Sequence, residues 1–141
     1  MRRLSSLNWC PQSWNGIAGH WDHWRNTHLN SHPLVSERVG NVAVSIGSRQ
    51  NHFDTVLLDV DNGPAAFTTP QNSMLYDDRG LAAIRASLKS GGVLAIWSAR
   101  DDRKFEQRLR YGGFVVEVER VRGRLTKGGP NHTIFLARKS A

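Results

Sequence analysis

Two carboxylates in the stretch DTVLLDVDNGPAAF, Asp59 and Asp61, stand one residue apart where an apolar run ends, just before Asn62-Gly63-Pro64. Acids so placed can hold ammonium groups, accept a proton from an attacking amine, or bind a divalent cation. Carboxylates are costly to bury, so a chain that sets them at a strand end sets them near water or a ligand. A plainer reading stands beside these: Asp59 caps a turn and Asp61-Asn62-Gly63 forms it.

The flanking elements must position these acids. Val56, Leu57 and Leu58 form a continuous apolar core, the pattern of a strand covered on both faces. VGNVAVSIGS reads as a strand end at Val39 followed by a brief helical turn. RGLAAIRASLK places Leu81, Ile84 and Leu88 on one stripe of a helix, which Ser90-Gly91-Gly92 stops as a left-handed cap. VLAIW, residues 93–97, is a second buried strand, with Trp97 read as core. DDRKFEQRLR opens on acids and closes on bases, as the helix dipole favours, and buries Phe105 and Leu109. FVVEVERVR alternates, and TIFLARK is the last strand. Strand, helix, strand, helix, strand, strand argues for an α/β sheet that is mostly parallel, with the last two strands antiparallel neighbours. Such sheets bind ligands beyond the carboxyl ends of their strands, which puts DVDNGP and SARDD on one rim.

The net charge of +7 raises a polyanion as partner. Between residues 100 and 127, however, acids interleave with the bases and aromatic residues do not, which favours a solvated exterior over a nucleic-acid groove. No apolar run approaches the ~20 residues of a membrane span. A single cysteine, Cys10, makes no internal disulfide, and a reducing, cytoplasmic setting is expected. Residues 1–32 carry four of the five tryptophans and four of the six histidines, with no clear periodicity. His20, His23, His28 and His32, with Cys10 and Asp22, invite a metal reading. Without a paired-cysteine anchor, a surface segment is the favoured account. The basic loop RLTKGGPNH reads as a hairpin connection rather than a phosphate cradle around Lys127.

FDTVLLDVDNGPAAF, then LY, then LAAIRASLKSGGVLAIWSA, resembles the spermidine synthase-like branch of the polyamine aminopropyltransferases. These have the fold of class I S-adenosylmethionine-dependent methyltransferases. The resemblance runs from about residue 32 to HTIFLAR and divides the chain into a leader, 1–32, and a C-terminal part of such a domain, 33–141. It implies a partial Rossmann-like methyltransferase fold, decarboxylated S-adenosylmethionine as co-substrate, a small-molecule amine as acceptor and no metal. It also implies roles. Asp59 matches the acid that deprotonates the amine, and Asp61 and Tyr76 match positions on the amine side. Asn41, Val42, Asp59, Pro64 and Ala65 match the side that holds the nucleoside.

The departures carry equal weight. The family commonly has two residues between its acids, where this chain has one. Gly40-Asn41 stands where the family has Gly-Asp, although an amide oxygen still accepts a hydrogen bond. The family's first strand, its glycine-rich loop and its ribose-binding acid have no match in residues 1–32. Three functions follow as expectations: aminopropyl transfer, weakened or lost with those missing parts; a catalytically dead remnant or interaction module; or an S-adenosylmethionine-dependent methyltransferase-like protein. A strand that lacks its neighbour is also an exposed edge, so three outcomes are expected for DTVLLDV: the leader and its tryptophans cover it, a homodimer forms through it, or the chain is poorly stable alone.

Overall fold

The computed structural model describes residues 7–8, 36, 38–59, 63–64, 74–122 and 129–140. The chain divides into two compact units, Met1–Ser45 and Ile46–Ala141. In the first, strand β1 (Leu7–Asn8) pairs in parallel with β2 (Arg38–Val39). Helix α1 (Val42–Gly47) follows β2, as the spacing of VGNVAVSIGS leads one to expect, and the division falls within it. The leader's histidines and tryptophans, and Lys127 of the basic loop, lie outside the described residues.

The second unit is built on one sheet. Its elements are β3 (Phe53–Leu58), α2 (Asp78–Ser87), β4 (Leu88–Ser98), α3 (Arg103–Tyr111), β5 (Phe114–Arg122) and β6 (Asn131–Lys139). The strand order is β3-β4-β6-β5. β3 pairs with β4 in parallel, and β6 is antiparallel to both β4 and β5. Three strands therefore run one way, with β6 reversed between two of them. The expected antiparallel pairing of the last two strands is present. The insertion of β6 beside β4 is a long-range choice that local spacing does not encode.

Register assigns the faces. Leu58 pairs with Ile96, and Ile96 with Phe135, while Val56 pairs with Leu94, and Leu94 with Ala137. These six side chains share one face and are all buried, with Phe114 and Val116 of β5 beside them. Helices α2 and α3 close this face with Leu81, Ile84, Phe105 and Leu109. The Phe105 ring stands edge-on to Phe135 at 5.4 Å and to Tyr76 at 5.8 Å between centroids. Burying each such Leu, Ile or Phe is worth about 1.5–3 kcal/mol, so this one layer carries most of the unit's cohesion. Both helices are capped by acids: Asp77 accepts from the Gly80 N–H at 2.7 Å, and Asp102 from the Phe105 N–H at 3.0 Å. Arg85 Nε donates to the Gly113 carbonyl, and Arg108 to the Tyr76 carbonyl, tying the two helices together.

Two expectations are corrected. Helix α2 ends at Ser87, and Leu88 is already extended, so Ser90-Gly91-Gly92 does not cap it. The β3–β4 register moves from Phe53–Leu88 to Thr55–Val93, so these residues form a bulge in β4 instead. Gly91 sits at φ +71°, the left-handed region the bulge requires. The second correction concerns β3, which is covered on one face only. Val56 and Leu58 are buried, whereas Leu57 is 75% exposed, because both helices lie on the opposite face. Among the described residues, no helix is long and apolar enough to cross a membrane.

Truncating the central aromatic tests this account of the core. Phe105→Ala is expected to cost about 3–5 kcal/mol in urea unfolding. Tyr111→Ala, on the same helix but 89% exposed, is expected to change stability by about 0.5 kcal/mol or less.

Candidate functional site

Because β3 and β4 are parallel, their carboxyl ends reach one rim together. β6 runs against β4 with Ser98 opposite Thr133, so the start of β6 lies on that rim. Arg122 opposite Asn131 brings the end of β5 there too. The rim thus collects Asp59, Gly63-Pro64, Ser98 to Asp102, Arg120 to Arg122, and Asn131-His132.

Asp59 directly follows β3 and is exposed. Its situation differs from that of the other described aspartates. Asp54 pairs with Lys89, Asp78 with Arg108 and Asp101 with Arg120, while Asp77 and Asp102 cap helices. Among the described residues, none hydrogen-bonds or ion-pairs with the Asp59 carboxylate. A carboxylate without a partner at a strand tip is free to take a proton or hold a cation.

The loop after β3 returns to the end of β4. Gly63 is buried at φ +88°, and a Cβ built on it would lie 2.6 Å from Ser98 Oγ. Only glycine permits so close an approach. Ser98 is fully buried, and its hydroxyl donates to the Arg100 carbonyl at 2.7 Å, which turns the chain directly after β4. Asp101 then accepts from Arg120 at 2.6 Å, joining the β4 loop to β5; this hydrogen bond and the carboxylate charge raise the guanidinium pKa above its usual value. At the start of β6, His132 packs on Trp97 with centroids 4.9 Å apart, and the buried His132 Nδ1 has no hydrogen-bond partner among the described residues. Trp97, read from the sequence as core, is half-buried.

Of the residues singled out in the sequence, Asp59 and Pro64 lie on the rim, and Asp61 and Ala65 fall outside the described residues. Tyr76 is 5% exposed, its ring against Phe105. Asn41 and Val42 belong to the first unit. Asn41 Oδ1 accepts from the Ala43 N–H at 2.9 Å and the Val44 N–H at 3.4 Å, so this amide oxygen caps α1. Val42 is buried. Ser98 and His132 were not singled out. The signal for Ser98 is a hydroxyl directly after an apolar strand; His132 has none, since its place depends on the pairing of β6.

No family model matches the sequence, and no curated protein matches it. Solved structures do. The precorrin-6y C5,15-methyltransferase of Geobacter metallireducens GS-15 is 20% identical, with 98% of this chain and 67% of that one covered and a TM-score of 0.62. A spermidine synthase, solved with the transition-state analogue AdoDATO, is 18% identical, with 89% and 44% covered and a TM-score of 0.65. The 1,6-didemethyltoxoflavin-N1-methyltransferase of Burkholderia thailandensis, solved with S-adenosylhomocysteine, is 21% identical, with 99% and 62% covered and a TM-score of 0.59. This chain therefore spans less than half of the spermidine synthase and up to about two thirds of the methyltransferases.

These likenesses establish the class: the protein has a partial Rossmann-like form of the fold shared by S-adenosylmethionine-dependent methyltransferases. Spermidine synthases are among its neighbours in that fold.

The rim depends on the contact between Gly63 and Ser98. Gly63→Ala is expected to destabilise the protein by about 1–3 kcal/mol through backbone strain alone, read as a lower urea midpoint. Ser98→Gly, which removes the Oγ and Cβ it would strike, is expected to recover part of that loss in the double variant.

Proposed function

We propose that this chain carries the amine-activating part of a spermidine synthase-like aminopropyltransferase, with Asp59 as its base. The observation that supports this most is the Asp59 carboxylate at the carboxyl end of β3, which has no hydrogen-bond or ion-pair partner among the described residues, with Gly63 drawn against Ser98 of β4 nearby. The acceptor diamine arrives largely as an ammonium ion, which cannot attack. Asp59 takes one proton and frees the nitrogen lone pair. The nitrogen then attacks the aminopropyl carbon bound to the sulfonium of decarboxylated S-adenosylmethionine. The C–N bond forms as the C–S bond breaks, and the bonding pair returns to sulfur, which leaves as the neutral thioether of methylthioadenosine. A sulfonium leaves readily, so the chemistry calls for orientation and deprotonation and not for a metal.

Asp61, two positions along the sequence, supplies a second negative charge for the far ammonium of the diamine, and Tyr76 is assigned to the amine side. Asn41, Val42, Pro64 and Ala65 are assigned to the nucleoside. Residues 1–32 offer no glycine-rich loop after an apolar strand. The single cysteine favours a cytoplasmic setting.

Calorimetry on the full chain with decarboxylated S-adenosylmethionine, methylthioadenosine and S-adenosylhomocysteine tests this reading. The first two are expected to bind more tightly than the third. Asp59→Asn is expected to lower aminopropyl transfer by about 10²–10⁴-fold. Preference for S-adenosylhomocysteine, with methyl transfer, would replace this reading with a methyltransferase. A folded chain that binds none of the three would be an interaction module.

A further inference from the structure

The four-stranded sheet has two edges, and they differ in kind. The β5 edge carries Glu117, Glu119, Arg120 and Arg122, all exposed, which is how natural sheets discourage pairing with another chain. The β3 edge carries no charge between Asp54 and Asp59, no proline, and Leu57 at 75% exposure. Among the described residues, no strand lies along the outer side of β3. Its two ends also differ in charge: Arg49 and His52 precede the strand and Asp54 at its start is paired with Lys89, whereas Asp59 follows it, with Asp61 two positions further along the sequence.

We propose that β3 pairs with β3 of a second copy of this chain, antiparallel and centred on Leu57. Directly opposite residues of an antiparallel pair face the same side, so a two-fold axis normal to the sheet must pass midway between a residue and its own copy. Centring on Leu57 sets that side chain against its own copy and Val56 against Leu58, which continues the buried layer across the junction. The same arrangement brings the basic end of each strand to the acidic end of the other. An edge that meets itself in this way has both apolar and electrostatic complementarity, and the two sheets become one of eight strands. This inference does not rest on the aminopropyltransferase reading, and its test involves no nucleoside.

Sedimentation of the full chain is expected to show a dimer that weakens as salt rises. Leu57→Lys is expected to give a monomer with an unchanged circular dichroism spectrum, because the side chain is exposed. In a Cys10→Ser background, Leu57→Cys is expected to form an interchain disulfide under mild oxidation. Cα atoms opposite each other lie about 4.5–5.5 Å apart, within disulfide reach. Val115→Cys, exposed on the far edge, is expected not to cross-link. A monomer at all concentrations, or a dimer that Leu57→Lys leaves intact and Leu57→Cys does not cross-link, would overturn the proposal.

Discussion

The parallel register of β3 on β4 is the constraint on which the rest of the second unit depends. It places Val56 and Leu58 beside Leu94 and Ile96, under the helices, and it ends both strands at one rim. Side chains alternate along a strand, so a slip of one residue would turn Leu57 inward and expose its two neighbours. The β4 bulge serves this register. It takes up the residues between Leu88 and Val93 so that the apolar positions of both strands coincide. Gly91 in the left-handed region, and Gly92 packed near the Lys89 and Asp54 carbonyls, show how tightly the backbone is drawn there.

The rim is the geometric consequence of that register together with the reversal of β6. Parallel β3 and β4 deliver Asp59 and Ser98 to the same side. β6, running back along β4, delivers Asn131 and His132 there, and β5 delivers Arg120. The ion pair of Arg120 with Asp101 is solvent-exposed and contributes little to stability, but it joins two loops that only the sheet brings together. The other described aspartates are occupied by caps and ion pairs, and Asp59 stands apart among them.

A sheet helically covered on one face and bounded by one charged and one apolar edge has an asymmetric surface. The fold's solved neighbours are longer chains, and this one spans only part of their length. Leu57, which a doubly covered strand would bury, is where that asymmetry is most visible.

Much of this architecture was legible in the sequence because it is local. Continuous apolar runs marked β3 and β4, the 3.6-residue stripe marked α2 and α3, alternation marked β5, and turn residues marked the β3 end. The resemblance in LLDVDNGP and LKSGGVLAIWSA pointed to the methyltransferase-type fold that the solved structures bear out. What local pattern could not carry was pairing. SGG reads as a helix stop or as a bulge with equal ease, and only the register against β3 selects the bulge. An apolar triplet is compatible with cover on both faces, and only the placement of the helices left Leu57 in solvent. Sequence alone determined the elements and the position of Asp59 at a strand end, because side-chain periodicity and turn chemistry act over a few residues. Tertiary structure alone decided the strand order, the approach of Gly63 to Ser98 and the packing of His132 on Trp97, because these join residues far apart in the chain that meet only when the sheet closes.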